Sequence, residues 1–332
     1  MGFKKLLILV VVVLVLFTLA FIKRSIQKIE VAKQEKGLIN EFELTKDLAD
    51  SFISKIVVYK GDDLNNKLVL SKNVEGIWVI ENKFGVKVQK SMVDELLKEL
   101  KNLKGEIRAE SKDVFSDFQI EDAKAVHIVL ESDAGKTLSH LLVSFLKPEW
   151  NNSFVRIYDS AKIVLVDKNI LSFLNLYDKD AKLDSASLMD LKMFDFDTKQ
   201  VVKIELNINK VSVVLKKGES ENKAIWSIEP AQAKNEEVDS AMLDEFLQNI
   251  SNMYAKEVCD PGLTIYGFEQ PLLQVILEDA QGEKPVQLAV GSYIDSEKVY
   301  YVKVSPSNPV FKVPEVNIQK VKRDRGYFLK AK

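Results

Sequence analysis

The sequence predicts an α+β protein, in which an N-terminal transmembrane helix precedes two tandem copies of a mostly antiparallel sheet with one main helix each. Three observations support this. The motif Ile-Trp-x-Ile-Glu occurs at residues 77–81 and again at 225–229. In each half, strand-like runs surround one amphipathic helix without regular strand–helix alternation. An apolar stretch stands near the N-terminus, where it is long enough to predict a membrane anchor.

The N-terminal segment is predicted to be an uncleaved signal anchor. Residues 6–22 are apolar except for Thr18, and as a helix they reach about 25 Å, slightly less than a hydrocarbon core of ~30 Å. Basic residues at 4–5 and 23–24 can extend their side chains to the interface. A cleaved signal peptide needs small residues at its exit, and a lipoprotein signal needs a cysteine there. This chain has neither, so residues 1–37 are interpreted as anchor and neck.

The rest of the chain contains two collinear sets of matching residues. Trp78 matches Trp226 at an offset of 148, residues 92–97 match 242–247 at 150, and residues 130–135 match 277–282 at 147. Small drifts in offset indicate loop insertions between preserved elements. The series predicts a first repeat at 38–180 and a second at 181–332, with a linker at about 178–199.

Hydrophobic periodicity places the elements of the first repeat. β-Rich runs predict strands that begin at Ile56 and cover 67–72 and 77–80. A helix follows, with Ser91 as its expected N-cap. Its apolar face is built from Val93, Leu96, Leu97, Leu100 and Leu103. The remaining predicted elements are strands at 125–131, 138–145, 154–158 and 163–166, and a short helix at 169–176.

The second repeat is predicted to have the same elements in the same order. A helix at 238–250 presents an apolar face of Met242, Phe246, Leu247 and Ile250. The predicted strands cover 202–208, 211–217, 224–229, 272–279, 286–292, 299–304 and 310–313.

Composition excludes several classes of function. Residues 1–36 carry seven Lys or Arg and two Glu, a net +5, which leaves −7 for the remainder of a chain whose formal charge is −2. An acidic body does not suit nucleic acid, whose phosphates require a positive surface. A single cysteine, Cys259, excludes disulfides within the chain, and with only two histidines it leaves few ligands for zinc. We therefore predict no nucleic-acid partner, no cofactor and no metal.

The residues with reactive side chains all have a structural interpretation. His127 and His140 lie in the middle of predicted strands and match Gln274 and Gln287 of the second repeat. We expect solvent-facing strand positions rather than acid–base catalysis. Cys259 has no histidine near it in sequence to activate its thiol. No catalytic, cofactor-binding or metal-binding residue is predicted.

Aromatic and acidic residues also recur in both repeats. Trp78 and Trp226 are expected to anchor the two cores. Asp94-Glu95 and Asp244-Glu245 fall on the polar side of each helix near its start, where they complement the helix dipole. Four further aromatic residues are expected to plug the space beneath loops: Phe115, Phe118, Tyr266 and Phe268.

Several short motifs recur in the two halves of the chain. Lys-Ile-x-Val at 55–58 returns as Lys-Ile-x-Leu at 203–206, and Gly-Ile-Trp at 76–78 returns as Ala-Ile-Trp at 224–226. Together with Val-Asp-Glu-Leu-Leu at 93–97 and the turn Tyr-Gly-Phe at 266–268, they resemble the bacterial domain of unknown function 4340 over about residues 40–330. The resemblance implies a single-pass protein with an extracytoplasmic tandem α+β region. For some members it also implies association with ABC-type transport systems related to gliding motility.

Charge alone leaves the orientation open, because basic residues flank both ends of residues 6–22. The resemblance favours the bacterial inner membrane, with the body on the periplasmic side. The leading hypothesis is an anchored interaction or scaffold protein that is not an enzyme. Its partners are the lipid bilayer and an envelope protein, with an ABC transporter complex as one candidate. Two alternatives stay open: a membrane-tethered hydrolase that uses carboxylates of one repeat, and a binder of a small ligand or glycan at the inter-repeat groove.

Overall fold

The computed structural model describes residues 52–330 with gaps at 102, 104, 221–222, 233–235, 282–284 and 306–308, and also residues 23, 38 and 39. The predicted anchor at 6–22 lies outside the described residues. None of the helices in the described part has the length and apolarity that a membrane crossing requires.

The described residues form two compact units. The first unit contains the described residues up to Leu68 together with Ser91–Asp184, and the second contains Val69–Lys90 together with Ser185–Lys332. The chain therefore enters the second unit, returns to the first and enters the second again. The repeat limits inferred from the sequence remain a prediction.

The described residues contain 18 strands and three α-helices. The strands are β1 (Leu38–Ile39), β2 (Lys55–Lys60), β3 (Leu68–Lys72), β4 (Trp78–Ile80), β5 (Val86–Lys87), β6 (Gly105–Ala109), β7 (Val126–Glu131), β8 (Thr137–Val143), β9 (Ser153–Ile157), β10 (Ile163–Val166), β11 (Val201–Ile208), β12 (Val211–Ser220), β13 (Lys223–Glu229), β14 (Glu257–Cys259), β15 (Leu273–Asp279), β16 (Val286–Ile294), β17 (Val299–Ser305) and β18 (Val310–Pro314). The helices are α1 (Lys90–Lys101), α2 (Ser240–Ser251) and α3 (Glu315–Val321).

The first unit is built on an antiparallel sheet with the order β1-β6-β10-β9-β8-β7-β2. In its centre, Tyr59 of β2 lies opposite His127 of β7, and Leu142 of β8 lies opposite both His127 and Arg156. Because alternate residues of a strand share a face, this register decides which side chains meet across the sheet.

The second unit has an eight-stranded antiparallel sheet with the order β13-β12-β11-β15-β16-β17-β18-β14. It also contains the antiparallel meander of β3, from Val69 on, β4 and β5. Residues 188–190 run along the meander: the Gln89 N–H donates to the Leu188 carbonyl at 2.9 Å, and the Asp190 N–H donates to the Lys87 carbonyl at 2.8 Å.

Six strands of each sheet follow the same order. The order β6-β10-β9-β8-β7-β2 corresponds to β14-β18-β17-β16-β15-β11, and in both sets the strands have the same succession along the chain. Two antiparallel sheets with three helices confirm the predicted α+β class.

The two long helices are alike in length and burial. Each has 12 residues, and the buried, half-buried and exposed positions of 91–100 recur in the same sequence at 241–250. Asp239 caps α2, where its carboxylate accepts from the N–H groups of Ala241 and Met242 at 3.0 and 3.3 Å. The N-cap predicted for α1 is wrong. With Ser91 as N-cap the helix would begin at residue 92; it begins two residues earlier, at Lys90, after Gln89 has bonded to Leu188, and Ser91 is its second residue.

Some elements were missed in the sequence. Strands β1, β5, β6 and β14 were not predicted, nor was helix α3, and the short helix expected at 169–176 is a 3-10 helix of Ile170–Leu174. Elements of only a few residues are too short to show a hydrophobic period in their own sequences, so periodicity does not predict them.

One face of the first unit's sheet is covered by residues 112–125. Its core cluster contains Ile120, Ala125, Leu142, Phe154 and Ile163, against which Phe115 and Phe118 pack. These two aromatic residues are thus packed beneath a loop, as predicted. The same segment borders the polar cluster described next.

Candidate functional site

Both histidines of the chain meet in a row of four ring side chains in the first unit. We call Tyr59, His127, His140 and Tyr158 the histidine row. The rings of Tyr59 and His127 stack with centroids 4.4 Å apart, and those of His140 and Tyr158 stack at 4.4 Å with a 5° angle between their planes. Between the two stacks, His127 Nδ1 lies 2.9 Å from His140 Nε2.

Sheet register brings these rings together. Tyr59 is paired with His127 across β2 and β7, and the Tyr158 N–H donates to the His140 carbonyl at 3.0 Å. His127 is paired with Leu142 of β8. His140 lies two residues before Leu142, so its side chain is on the same face of the sheet. Two histidines 13 residues apart in the sequence thereby become diagonal neighbours.

The hydrogen-bond partners assign a tautomer to each imidazole. His127 Nε2 lies 2.8 Å from the backbone carbonyl of Asp122, which can only accept, so this nitrogen carries the proton. In the neutral ring, His127 Nδ1 is then an acceptor, and His140 Nε2 donates to it. Both nitrogens of His127 are therefore engaged, whereas the geometry leaves Nδ1 of His140 as an unprotonated acceptor.

Burial keeps this pair neutral. Burial lowers the pKa of His127, and burial together with the charge of His127 lowers the pKa of His140 to about 4. His127 is 3% exposed and His140 is half-buried. The prediction of solvent-facing positions is therefore wrong for His127, because the segment that contains Asp122 covers this face of the sheet.

A buried arginine fastens that segment to the sheet. Arg156 is 2% exposed; its Nε donates to the Ile120 carbonyl at 3.0 Å, and its Nη1 donates to the Tyr158 carbonyl at 2.6 Å. Its Nη2 forms an ion pair with the carboxylate of Asp122, and its guanidinium carbon lies 4.4 Å from the ring centroid of Phe115. Arg156 thus pairs with the carboxylate of Asp122 and holds the Asp122 backbone in position for His127.

The corresponding positions of the second unit are polar but do not titrate. Asn207 is paired with Gln274, as Tyr59 is with His127, and Gln287 is paired with Ser305. Lys303, at the position of Arg156, is exposed. The histidine row and its arginine are therefore features of the first unit; the comparison with glutamines had predicted only solvent-facing positions for His127 and His140.

The hydrogen bonds within the histidine row limit the reactions that its imidazoles could catalyse. General acid–base catalysis needs a nitrogen directed at substrate, and Nδ1 of His140 is the single imidazole nitrogen that the network leaves available. In the described part of the chain, no three His, Cys, Asp or Glu side chains converge on a space that could hold a metal ion.

The other predicted candidates lie apart from the row. Cys259 is half-buried in β14, and burial together with Glu257 raises the pKa of its thiol, which disfavours the nucleophilic thiolate. Trp78 is buried, as a core residue should be, whereas Trp226 is half-buried in β13. The acidic pairs Asp94-Glu95 and Asp244-Glu245 are exposed on their helices, as expected.

The second unit contains an open cavity of about 370 Å³. Its lining includes Glu269, Gly291 and Ser292. The Ser292 N–H donates to the Tyr266 carbonyl at 2.7 Å. Tyr266, whose side chain is buried, is therefore next to Gly291 and Ser292 in the wall of the cavity. Among the described residues that line the cavity, none is a histidine and Glu269 is the one with an ionisable side chain.

Fold and site together define an α+β protein with two antiparallel sheets of common strand order, one of which carries a closed histidine cluster. The chain belongs to the family described as Domain of unknown function (DUF4340), whose model matches residues 78–264, more than half of its length. This match confirms the resemblance seen in the sequence motifs. No curated protein and no solved structure matches the chain significantly.

Proposed function

We propose that this chain is a membrane-anchored interaction protein, that its body lies on the extracytoplasmic side of a bacterial inner membrane, and that it acts as an accessory to an ABC-type transport system. In this proposal the two units are tandem copies of one α+β fold. The observation that carries it is the repeated strand order of the two sheets, in which the shared features serve packing. Two related bodies behind one anchor gain affinity through raised local concentration and two-site engagement.

The sequence of residues 6–22 supports the proposed membrane anchor. An apolar run of this length, flanked by basic residues, suits a transmembrane helix. A C-terminal reporter that is active only in the cytoplasm, compared with one active only in the periplasm, tests the orientation. Activity of the cytoplasmic reporter would overturn the body-out arrangement.

Partner binding is tested by co-purification from membranes. Affinity-tagged full-length chain is expected to retain the membrane subunits of a transporter, and a version that lacks residues 1–36 is expected to lose them. A third version, in which an unrelated single-pass anchor replaces 1–36, should restore retention, because the body makes the contact. Equal recovery with the truncated form would contradict the role of the anchor.

We also propose that the chain is not an enzyme. The support is the histidine row, in which His127 Nδ1 bonds to His140 and His127 Nε2 bonds to a backbone carbonyl, so that Nδ1 of His140 is the one imidazole nitrogen left available. A chain with His127→Gln and His140→Gln, which carries the residues of the second unit, is therefore expected to keep partner retention unchanged. If this variant folds but abolishes a cellular function that retention does not explain, the hydrolase alternative gains support.

A further inference from the structure

Within the described residues, β13 is an edge strand of the eight-stranded sheet in the second unit. We propose that β13 pairs with β13 of a second copy of this chain, antiparallel, with Trp226 at the two-fold axis. This inference goes beyond the proposed function, because its partner is the chain itself rather than a transporter.

In the described part of the chain, β13 is bonded on one side only, to β12. The corresponding strand β4 is bonded on both sides: β5 pairs with it, and the Val88 N–H donates to the Trp78 carbonyl at 2.9 Å. In the second unit, Val238 occupies the position of Val88 and forms a bridge with Leu329. It donates no bond to Trp226, so no strand of the described part of the chain pairs with the outer edge of β13.

Exposure along β13 agrees with an open edge. Ile225 is 51% exposed, and Ser227 and Glu229 are exposed on the same side of the strand. Trp226 is half-buried, although its counterpart Trp78 is only 8% exposed. Unpaired strands of this length recruit another strand readily, because alternate N–H and carbonyl groups point outward.

The charged residues of β13 favour a second copy of the same strand as its pairing partner. A two-fold axis at Trp226 places Lys223 opposite Glu229 of the other copy, and Ile225 opposite Ser227. Because the interface is isologous, this pair of opposite charges occurs twice, once at each end of the pairing. Glu229 is already oriented by Lys216 of β12, whose Nζ lies 3.0 Å from its carboxylate. Moving the two-fold axis by one residue to Ser227 would bring Ile225 opposite Glu229, and moving it to Ile225 would bring Lys223 opposite Ser227, so either change loses this match.

Cysteine cross-linking of the full-length chain tests the register. In a Cys259→Ser background, one tagged copy carries Ile225→Cys and a differently tagged copy carries Ser227→Cys. Oxidation of isolated membranes is expected to give a disulfide-linked dimer that contains both tags, because these positions face each other at about 4.5 Å between Cα atoms. Each variant expressed alone is the matched control and should give little dimer, since like positions lie two residues apart along the strands.

Two results would overturn the proposal: no mixed dimer, or dimers of the single variants as abundant as the mixed one. A mixed dimer that forms without any transporter subunit would support the strand pairing even if the proposed transport role fails. Both cysteines replace exposed residues, and limited proteolysis of each variant checks that it folds.

Charge reversal gives an independent test. Glu229→Lys places two lysines opposite each other at both ends of the pairing, and it should reduce the mixed cross-linked fraction by about threefold or more. Adding Lys223→Glu to the same chain should restore the cross-linked fraction, because the opposite charges then face each other again. Failure of this restoration, with both variants folded, would contradict the charge-selected register.

Discussion

At the scale of single residues, His140 links the stability of the first unit to pH. Its pKa falls from 6.5 to about 4 on folding, so the unfolded chain binds more protons between these values. The contribution of His140 to stability is fully present above pH 6.5 and is lost as pH falls toward 4. Since the ring is half-buried, solvent screening reduces the effect to about 1–2 kcal/mol.

The variant His140→Gln tests this linkage. Glutamine occupies the corresponding position of the second unit and can still donate to His127 Nδ1. We expect the loss of unfolding free energy between pH 7 and pH 5 to be smaller in this variant by about 1–2 kcal/mol. Urea unfolding at both pH values measures it. The same loss in wild type and variant would mean that the imidazole is not held neutral.

Gly291 is a second residue on which the fold depends. A Cβ atom at this position would lie 2.0 Å from the Tyr266 carbonyl oxygen, a backbone atom that cannot move away alone. Gly291→Ala is therefore expected to lower the unfolding free energy by about 2–3 kcal/mol. Gly218→Ala is the matched control, because its nearest contact would be 3.9 Å away, and it should change stability by less than about 0.5 kcal/mol. Thermal unfolding of both variants decides the comparison.

At the scale of elements, the start of α2 depends on one carboxylate. Asp239 accepts two N–H bonds of the first turn, so Asp239→Ala should destabilise the chain by about 1 kcal/mol. Asp244→Ala removes an exposed carboxylate from the same helix and should have a smaller effect. Denaturant midpoints of the two variants test the order. A larger effect for Asp244 would contradict the capping role.

The sequence predicted most elements because their periods are strong. The helix spacing of Val93, Leu96, Leu97 and Leu100 gave α1, and all four are buried as expected. Strands such as β14, with three residues, have no period of their own and could not be predicted. The histidine row was missed for a different reason: it needs the diagonal register of β7 and β8, and a one-residue change in the connecting turn would separate His127 from His140.

At the scale of the whole molecule, the two units interlock along the sequence. Val69–Lys90 belongs to the second unit although the rest of that unit begins at Ser185. We expect Ser185–Lys332 expressed alone to be less stable than the same fragment with residues 69–90 fused to it, because Lys87 and Gln89 bond to residues 188 and 190. Hydrogen exchange of residues 186–193 in the two fragments measures the difference. Equal protection would contradict a structural role for the early segment.

Because of this interleaving, one segment of the second unit is synthesised long before the segment to which it bonds. Residues 69–90 leave the ribosome well before residues 188–190, to which they bond. At about 5–20 residues per second, the early hairpin waits several seconds for the later segment. During that interval its outer edge is open to wrong strands, so a holding chaperone or slow translation after residue 90 would affect the yield of native protein more than changes near residue 320.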